Sequence, residues 1–388
     1  MSVTAPRGFV ASGVACGIKP AGAPDLALVA TADGRPVVAA AVFTRNGAAA
    51  APVVVSRRHL DATGGRAAAV VLNSGNANAA TGDSGIGHAS AMCELVAREL
   101  GCAAEEVLVC STGLIGIPMP FGPVEAGIGP LVAARADGEG GALAARAIMT
   151  TDTRAKQTVQ SAGSVTIGGM AKGAAMLAPN MATMLAVLTT DADVGAPALR
   201  ELLQAAVQQS FNTLSVDGCT STNDTVIVLA GGRAGRPDPE KFGAALASAC
   251  IDLAGQMAGD AEGATKVVTV RVTGAVDDDD AARAARKVAE SQLVKCSFYG
   301  EDPYWGRIVS ELGTSGAAFD LARVSVSYGG IAVASGGAPC THDAAGVRAH
   351  MAGRLLDVHA DLGLGPGCAT VLTNDLSHAY IDENMRTS

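Results

Sequence analysis

The chain has 388 residues, 49% of them hydrophobic and 17% charged, which excludes the composition of a disordered protein and leaves room for about two or three domains. A net charge of −9 argues against nucleic-acid and anionic-membrane partners, since both require a basic footprint. No apolar run approaches a membrane span, and the start Met1-Ser2-Val3-Thr4-Ala5-Pro6-Arg7-Gly8 lacks the charged-then-apolar order of a secretory signal, so the expected location is the cytoplasm.

Only 3% of residues are aromatic and 48 are glycine, so the core must be built from Val, Leu, Ile and Ala. In chain order, the β-branched run Val53, Val54, Val55 reads as a strand segment, as do residues 69–72 and 107–109, with a helix over 94–100 between them. Gly and Pro crowd 113–130, an irregular connection, before an Ala-rich helical stretch over 131–149. A turn-rich segment at 231–239 reads as a linker or large surface loop, and a second break falls at 259–264. Residues 266–273 alternate as a half-buried strand, and Asp277, Asp278, Asp279 and Asp280 open a helix running to about residue 294. Those four carboxylates are read as helix capping and solvation, because they meet the exposed N–H groups of a first turn favourably. No period of 20–50 residues is present, which excludes a solenoid or propeller.

Several short motifs have bland explanations. Gly82-Asp83-Ser84-Gly85 matches the nucleophile signature of chymotrypsin-like proteases, but His59 lies only a short step upstream and the chain is not all-β, so it is discounted. Gly168-Gly169-Met170-Ala171-Lys172-Gly173 lacks the order of a phosphate loop, which leaves Lys172 needing another use. The six histidines form no zinc pattern, so no metal is expected, and the nine scattered cysteines form no C-x-x-C pair and read mostly as small buried hydrophobes.

The informative stretch runs from Lys172 through Pro179-Asn180-Met181-Ala182-Thr183 to Asp191. By pattern alone Thr183 opens a buried strand, where a β-branched residue packs well. The chemical reading is that its hydroxyl attacks the preceding carbonyl and cleaves the chain. The exposed α-amine, with an ordinary pKa of about 7.7–8.0, then serves as the base for that hydroxyl.

Around this stretch, blocks in order resemble the ornithine acetyltransferases, or bifunctional glutamate N-acetyltransferases, of arginine biosynthesis. They are Ala41-Val42-Phe43-Thr44-Arg45-Asn46, Leu72-Asn73-Ser74-Gly75-Asn76-Ala77-Asn78-Ala79, Ser111-Thr112-Gly113-Leu114-Ile115-Gly116, Met149-Thr150-Thr151-Asp152 and Ser221-Thr222-Asn223-Asp224-Thr225. Further blocks are Ala261-Glu262-Gly263-Ala264-Thr265-Lys266, Gly300-Glu301-Asp302-Pro303, Trp305-Gly306-Arg307 and Asp375-Leu376-Ser377-His378-Ala379-Tyr380. The resemblance spans essentially the whole chain.

It implies self-cleavage between Ala182 and Thr183, giving an α chain of residues 1–182 and a β chain of residues 183–388. Thr183 would be the nucleophile, and Thr112 and Gly113 the oxyanion hole. Thr150, Lys172, Thr183, Glu262, Asn384 and Ser388 would contact an amino-acid substrate. The implied reaction is ping-pong transfer of acetyl from N-acetyl-L-ornithine to L-glutamate, with no metal or redox cofactor and with acetyl-CoA as a second donor in some relatives. The implied fold is α/β, helices packed on mixed β-sheets in a self-cleaving N-terminal-nucleophile-like enzyme, with a smaller C-terminal α/β domain over 264–388. The implied assembly is an α2β2 heterotetramer. Tyr304 and Cys219 depart from the family pattern, and the tail after Asn384 is shortened, which bears on Ser388. The alternatives are a self-cleaving amidase or aminopeptidase, a secondary-metabolism acetyltransferase of the same fold, and a binding protein that has kept the fold.

Overall fold

A computed structural model of the chain describes residues 2–176 and 184–385. Ala182, Thr183 and Ser388 lie outside the described residues. The described residues gather into two compact units, the first drawn from Met1–Asn212 and Cys219–Met257, the second from Thr213–Gly218 and Ala258–Thr387.

The first unit runs β1 (Phe9–Val14), β2 (Leu26–Thr31), β3 (Val37–Phe43), α1 (Ala51–Ala62), β4 (Arg66–Ala67), β5 (Ala69–Asn76), α2 (Gly82–Leu100), β6 (Val107–Leu114), α3 (Phe121–Ala133) and α4 (Gly140–Ala147). It continues with β7 (Lys156–Ala162), β8 (Val165–Lys172), β9 (Leu185–Ala192), α5 (Ala196–Gln208), β10 (Thr225–Gly235) and α6 (Pro239–Ala258). The strands form two sheets, ordered β1-β2-β5-β6 and β4-β3-β10-β9-β8-β7. Alternation sorts their faces. Ala27, Val29, Val70, Leu72 and Leu108 of the first sheet share a core with Met170, Leu185, Val187, Ile227 and Leu229 of the second. Their neighbours Leu26, Leu28, Val71, Val107 and Val109 turn the other way, onto Val55 of α1, Met92 and Val96 of α2 and Leu131 of α3. On the far side of the second sheet, α5 packs on β3, and a Cβ at Gly169 of β8 would meet Leu253 of α6 at 3.3 Å. The unit is therefore layered helix, sheet, sheet, helix, the expected arrangement of helices on mixed sheets.

Three sequence expectations are corrected here. Val53, Val54 and Val55 lie in α1, not in a strand: Pro52 opens the helix, and Val53, Ser56 and Leu60 are buried at helical spacing while Val54 is exposed. The turn-rich residues 231–235 complete β10, with register shifting between Ala230 and Gly235, and lead directly into α6. The Ala-rich stretch over 131–149 divides between α3 and α4.

The second unit runs β11 (Val267–Ala275), α7 (Asp278–Glu290), α8 (Gln292–Tyr299), α9 (Trp305–Gly313), β12 (Ser325–Tyr328), β13 (Ile331–Ser335), β14 (Ala338–Pro339), α10 (Ala344–Ala352), β15 (Leu355–Asp361), β16 (Gly367–Asn374) and α11 (His378–Asn384). Its sheet order is β14-β13-β12-β15-β11-β16, with β11 and β15 parallel. Val268, Val270 and Val272 of β11 pack against Ala281, Ala285 and Val288 of α7. Asp277 caps α7 by accepting the Asp280 N–H at 2.8 Å, worth about 1 kcal/mol. Ser291 ends that helix and caps α8, so the helix expected to run to residue 294 is two helices.

Candidate functional site

In the first unit the site forms around the end of β6, which is the edge strand of its sheet. An edge strand has unpaired main-chain groups, and here side chains satisfy them. Ser56 Oγ donates to the Val109 carbonyl at 2.7 Å and accepts the Val109 N–H at 2.8 Å, and Asn223 Nδ2 donates to the Ser111 carbonyl at 2.9 Å. His59 Nδ1 lies 2.8 Å from the Val107 carbonyl. The strand is thereby clamped along its length up to Thr112.

At Gly113 the chain needs glycine. Its φ is +136°, and a Cβ would lie 2.3 Å from the Gly75 carbonyl carbon. The pairing of β5 and β6 shifts register at this point, a bulge of the kind that re-aims backbone groups beside a site. Asn73 fixes the partner strand by donating to the Asn76 carbonyl at 2.8 Å and accepting from Ser111 Oγ at 2.5 Å. Gly113 is exposed while Thr112 beside it is buried.

Lys172, the last residue of β8, donates to Thr112 Oγ1 at 3.1 Å, and both side chains are buried. Since the lysine occupies one lone pair of the hydroxyl oxygen, the hydroxyl proton points elsewhere, as a donor to a developing anion must. Asp152 lies beneath. Its carboxylate accepts from Lys156 Nζ at 2.6 Å and from the main-chain N–H groups of Gly173 at 2.8 Å and Thr150 at 3.0 Å. Burial pushes its carboxyl up, but Lys172, Lys156 and these donors outweigh burial and hold it down at about 2. Thr150 is half-buried and joins this cluster through its main chain.

Two neighbours add to the picture. Lys19 Nζ donates to the Met149 carbonyl at 2.6 Å, and its pKa is lowered by burial, with Lys172 adding to the effect against Asp25 and Asp152. Asp224 is fully buried and accepts the Met184 N–H at 2.9 Å.

In the second unit, Asn384 of α11 donates to Glu262 Oε2 at 2.8 Å and to the Tyr380 carbonyl at 2.9 Å. The loop carrying Glu262 is tied to the start of α11, because Ser377 Oγ donates to the Gly263 carbonyl at 2.5 Å while capping the helix. Gly263 has φ +61°, and a Cβ there would lie 2.2 Å from the Tyr380 nitrogen. Glu262 also lines a cavity of about 130 Å³ with Asp217, Glu290, Asn374, Asp375 and Lys295. Burial lowers the Lys295 pKa to about 8 despite Asp217, Asp375 and Glu290.

The structure thus brings Thr112, Gly113, Lys172 and the Thr150 main chain together in one unit and Glu262 with Asn384 in the other. Asp152 and Asp224 stand inside sequence blocks already singled out, yet composition gave no reason to assign them a role. Lys295 lies outside those blocks, and nothing in its local pattern marks it. Among the described residues no cluster of His, Cys, Asp and Glu could hold a metal, and no helix is long and apolar enough to cross a membrane.

A family model described as the ArgJ family matches residues 10–387. The arginine biosynthesis bifunctional protein ArgJ of Mycobacterium leprae is 47% identical over 396 residues, covering 100% of this chain and 95% of that protein. The protein of the same name from Thermobifida fusca is 46% identical over 389 residues, covering 100% of both. Among solved structures, the Mycobacterium tuberculosis ornithine acetyltransferase complexed with ornithine is 46% identical, with a TM-score of 0.42, over 46% of this chain and 94% of that one. A full-length family match, together with relatives this similar over the entire chain, establishes that the protein belongs to the ArgJ family.

Proposed function

We propose that the chain is a glutamate N-acetyltransferase that takes acetyl from N2-acetyl-L-ornithine and gives it to L-glutamate, releasing L-ornithine and N-acetyl-L-glutamate. The observation that carries the site assignment is the buried Lys172–Thr112 hydrogen bond of 3.1 Å beside the glycine-only turn at Gly113. It supports a preorganised pair of donors, the Thr112 hydroxyl and the Gly113 N–H, for a tetrahedral acyl oxygen, and each such donor contributes on the order of 3 kcal/mol.

The nucleophile in this reading is Thr183. In the maturation step its Oγ adds to the Ala182 carbonyl carbon, the Ala182–Thr183 C–N bond breaks, and the nitrogen keeps the hydroxyl proton as an amine. Water then hydrolyses the ester, leaving an Ala182 carboxylate. In turnover the same Oγ attacks the acetyl carbonyl, the α-amine takes its proton, and the leaving ornithine nitrogen receives that proton. Glutamate reverses these steps from the acetyl-threonine. Lys172 pairs with a substrate carboxylate, Glu262 with an ammonium, and Thr150, Asn384 and Ser388 orient the ligand. In the same reading the cleaved chains assemble as α2β2, and the enzyme works in the cytoplasm.

Incubation of purified protein with N-acetyl-L-ornithine and L-glutamate tests the reaction. Formation of N-acetyl-L-glutamate in step with ornithine is expected. Release of acetate without N-acetyl-L-glutamate would instead assign an amidase.

A further inference from the structure

We propose that Lys19 is a further substrate-binding residue, which together with Lys172 holds the α-carboxylate of the amino-acid substrate. The inference deepens the acetyl-transfer reading above and rests on it.

A turn built on one carboxylate delivers Lys19 to the site. Asp25, fully buried just before β2, accepts the Cys16 N–H at 2.7 Å on Oδ1, and the N–H groups of Gly17 at 3.1 Å, Ile18 at 2.7 Å and Lys19 at 2.9 Å on Oδ2. Its carbonyl accepts the Ser74 N–H of β5 at 2.9 Å, so the turn is anchored to the strand that pairs with β6. From there the Lys19 stem lies against Gly75, where a Cβ would meet its Cγ at 3.2 Å, and Gly75 is the residue on which the Gly113 turn closes. The ammonium donates to the Pro24 carbonyl at 3.0 Å and to that of Met149, the residue before Thr150, at 2.6 Å. Lys19 thus lies between the strand that backs the oxyanion turn and the segment that carries Thr150.

Its charge has no counter-ion in contact. An ammonium has three N–H donors; two go to neutral carbonyls, and the third has no partner among the described residues. The Asp25 oxygens are occupied by main-chain N–H groups and form no ion pair with it. The group is nevertheless half-buried, and its pKa is lowered by burial, with repulsion from Lys172 adding to this against the attraction of Asp25 and Asp152.

Two neighbouring cations are stabilised by an anion that both can reach. The substrate brings one. Its α-carboxylate hangs on the carbon that bears the reacting nitrogen, so it lies near Thr112 and Gly113 whenever the acyl oxygen does. N-acetyl-L-ornithine and L-glutamate both carry this group, and charge-assisted hydrogen bonds from two lysines would hold it in the same place for either half-reaction.

The test uses the full chain with Lys19→Met, which keeps the length of the side chain and removes its charge, and Lys19→Gln, which keeps a donor for the Met149 carbonyl. Each variant is checked for cutting by intact mass and for fold by melting temperature. Then kcat and KM are measured with N-acetyl-L-ornithine and with its α-carboxamide analogue, which lacks the carboxylate. The expected result is a KM for N-acetyl-L-ornithine raised about tenfold or more with kcat within about threefold, while kcat/KM for the carboxamide stays within about threefold of the wild-type value. An equal loss on both substrates, or an unchanged KM in a folded variant, overturns the inference. A folded variant that is not cut does so too, and failure of both variants to fold would make Lys19 a structural residue. If only one folds, it carries the comparison. Wild type that transfers no acetyl from N-acetyl-L-ornithine would remove the acetyl-transfer reading itself, an outcome read without any variant.

Discussion

Lys172 Nζ donates to Thr112 Oγ1 over 3.1 Å and so ties the end of β8 in one sheet to the end of β6 in the other. The bond fixes the orientation of a hydroxyl that stands beside a glycine no other residue could replace without moving Gly75. Both groups are buried, so neither is oriented by bulk water.

Thr112→Val keeps the β-branched shape and removes the hydroxyl. Loss of one oxyanion donor is expected to lower kcat about 10²–10³-fold with little change in KM. Steady-state kinetics with N-acetyl-L-ornithine checks this, and a kcat within about threefold of wild type would take Thr112 out of the oxyanion hole.

Lys172→Ala is expected to raise KM for N-acetyl-L-ornithine by about tenfold or more while leaving self-cleavage intact. A denaturing gel reads the cleavage and kinetics the binding. Unchanged KM in a fully cut variant would remove Lys172 from substrate recognition.

Asp152 ties acid stability to the site. Its carboxyl is held at about 2 in the folded chain, against 3.8 ordinarily. A depressed folded value contributes stability that is present above the unfolded pKa and lost as pH falls through the folded one, here roughly 2 kcal/mol between about pH 4 and pH 2. Asp152→Asn also removes the carboxylate that pairs with the buried Lys156 ammonium. Denaturant midpoints should show the variant less stable at pH 7, with the gap to wild type narrowing below pH 4. A gap that stays constant down to pH 2 contradicts the assignment.

Gly113→Ala places a side chain at φ +136° and against the Gly75 carbonyl. Backbone strain alone costs about 1–3 kcal/mol, so the melting temperature should fall and turnover with it. A variant with both unchanged would show that the turn relaxes without harm.

Much of the fold was legible in the sequence because its signals are local. Residues 69–72 and 107–109 are apolar runs of strand length, and Asp277 caps a helix as its first-turn carboxylates implied. Val53, Val54 and Val55 misled because the run is short, and the helical spacing of Ser56, His59 and Leu60 decides the element. The site was legible chiefly through family resemblance. Asp152 escaped assignment because its role arises from burial and from partners distant in sequence, such as Gly173, which no local pattern reveals.

The central claim is that Thr183 becomes an N-terminal nucleophile that carries acetyl. Denaturing intact-mass spectrometry of the purified protein, before and after brief exposure to N-acetyl-L-ornithine, tests it directly, with Thr183→Ala as the uncut control. The account predicts two species that split at Ala182/Thr183, with one acetyl added only to the piece that begins with Thr183. A single full-length species that gains no acetyl and transfers none would contradict it.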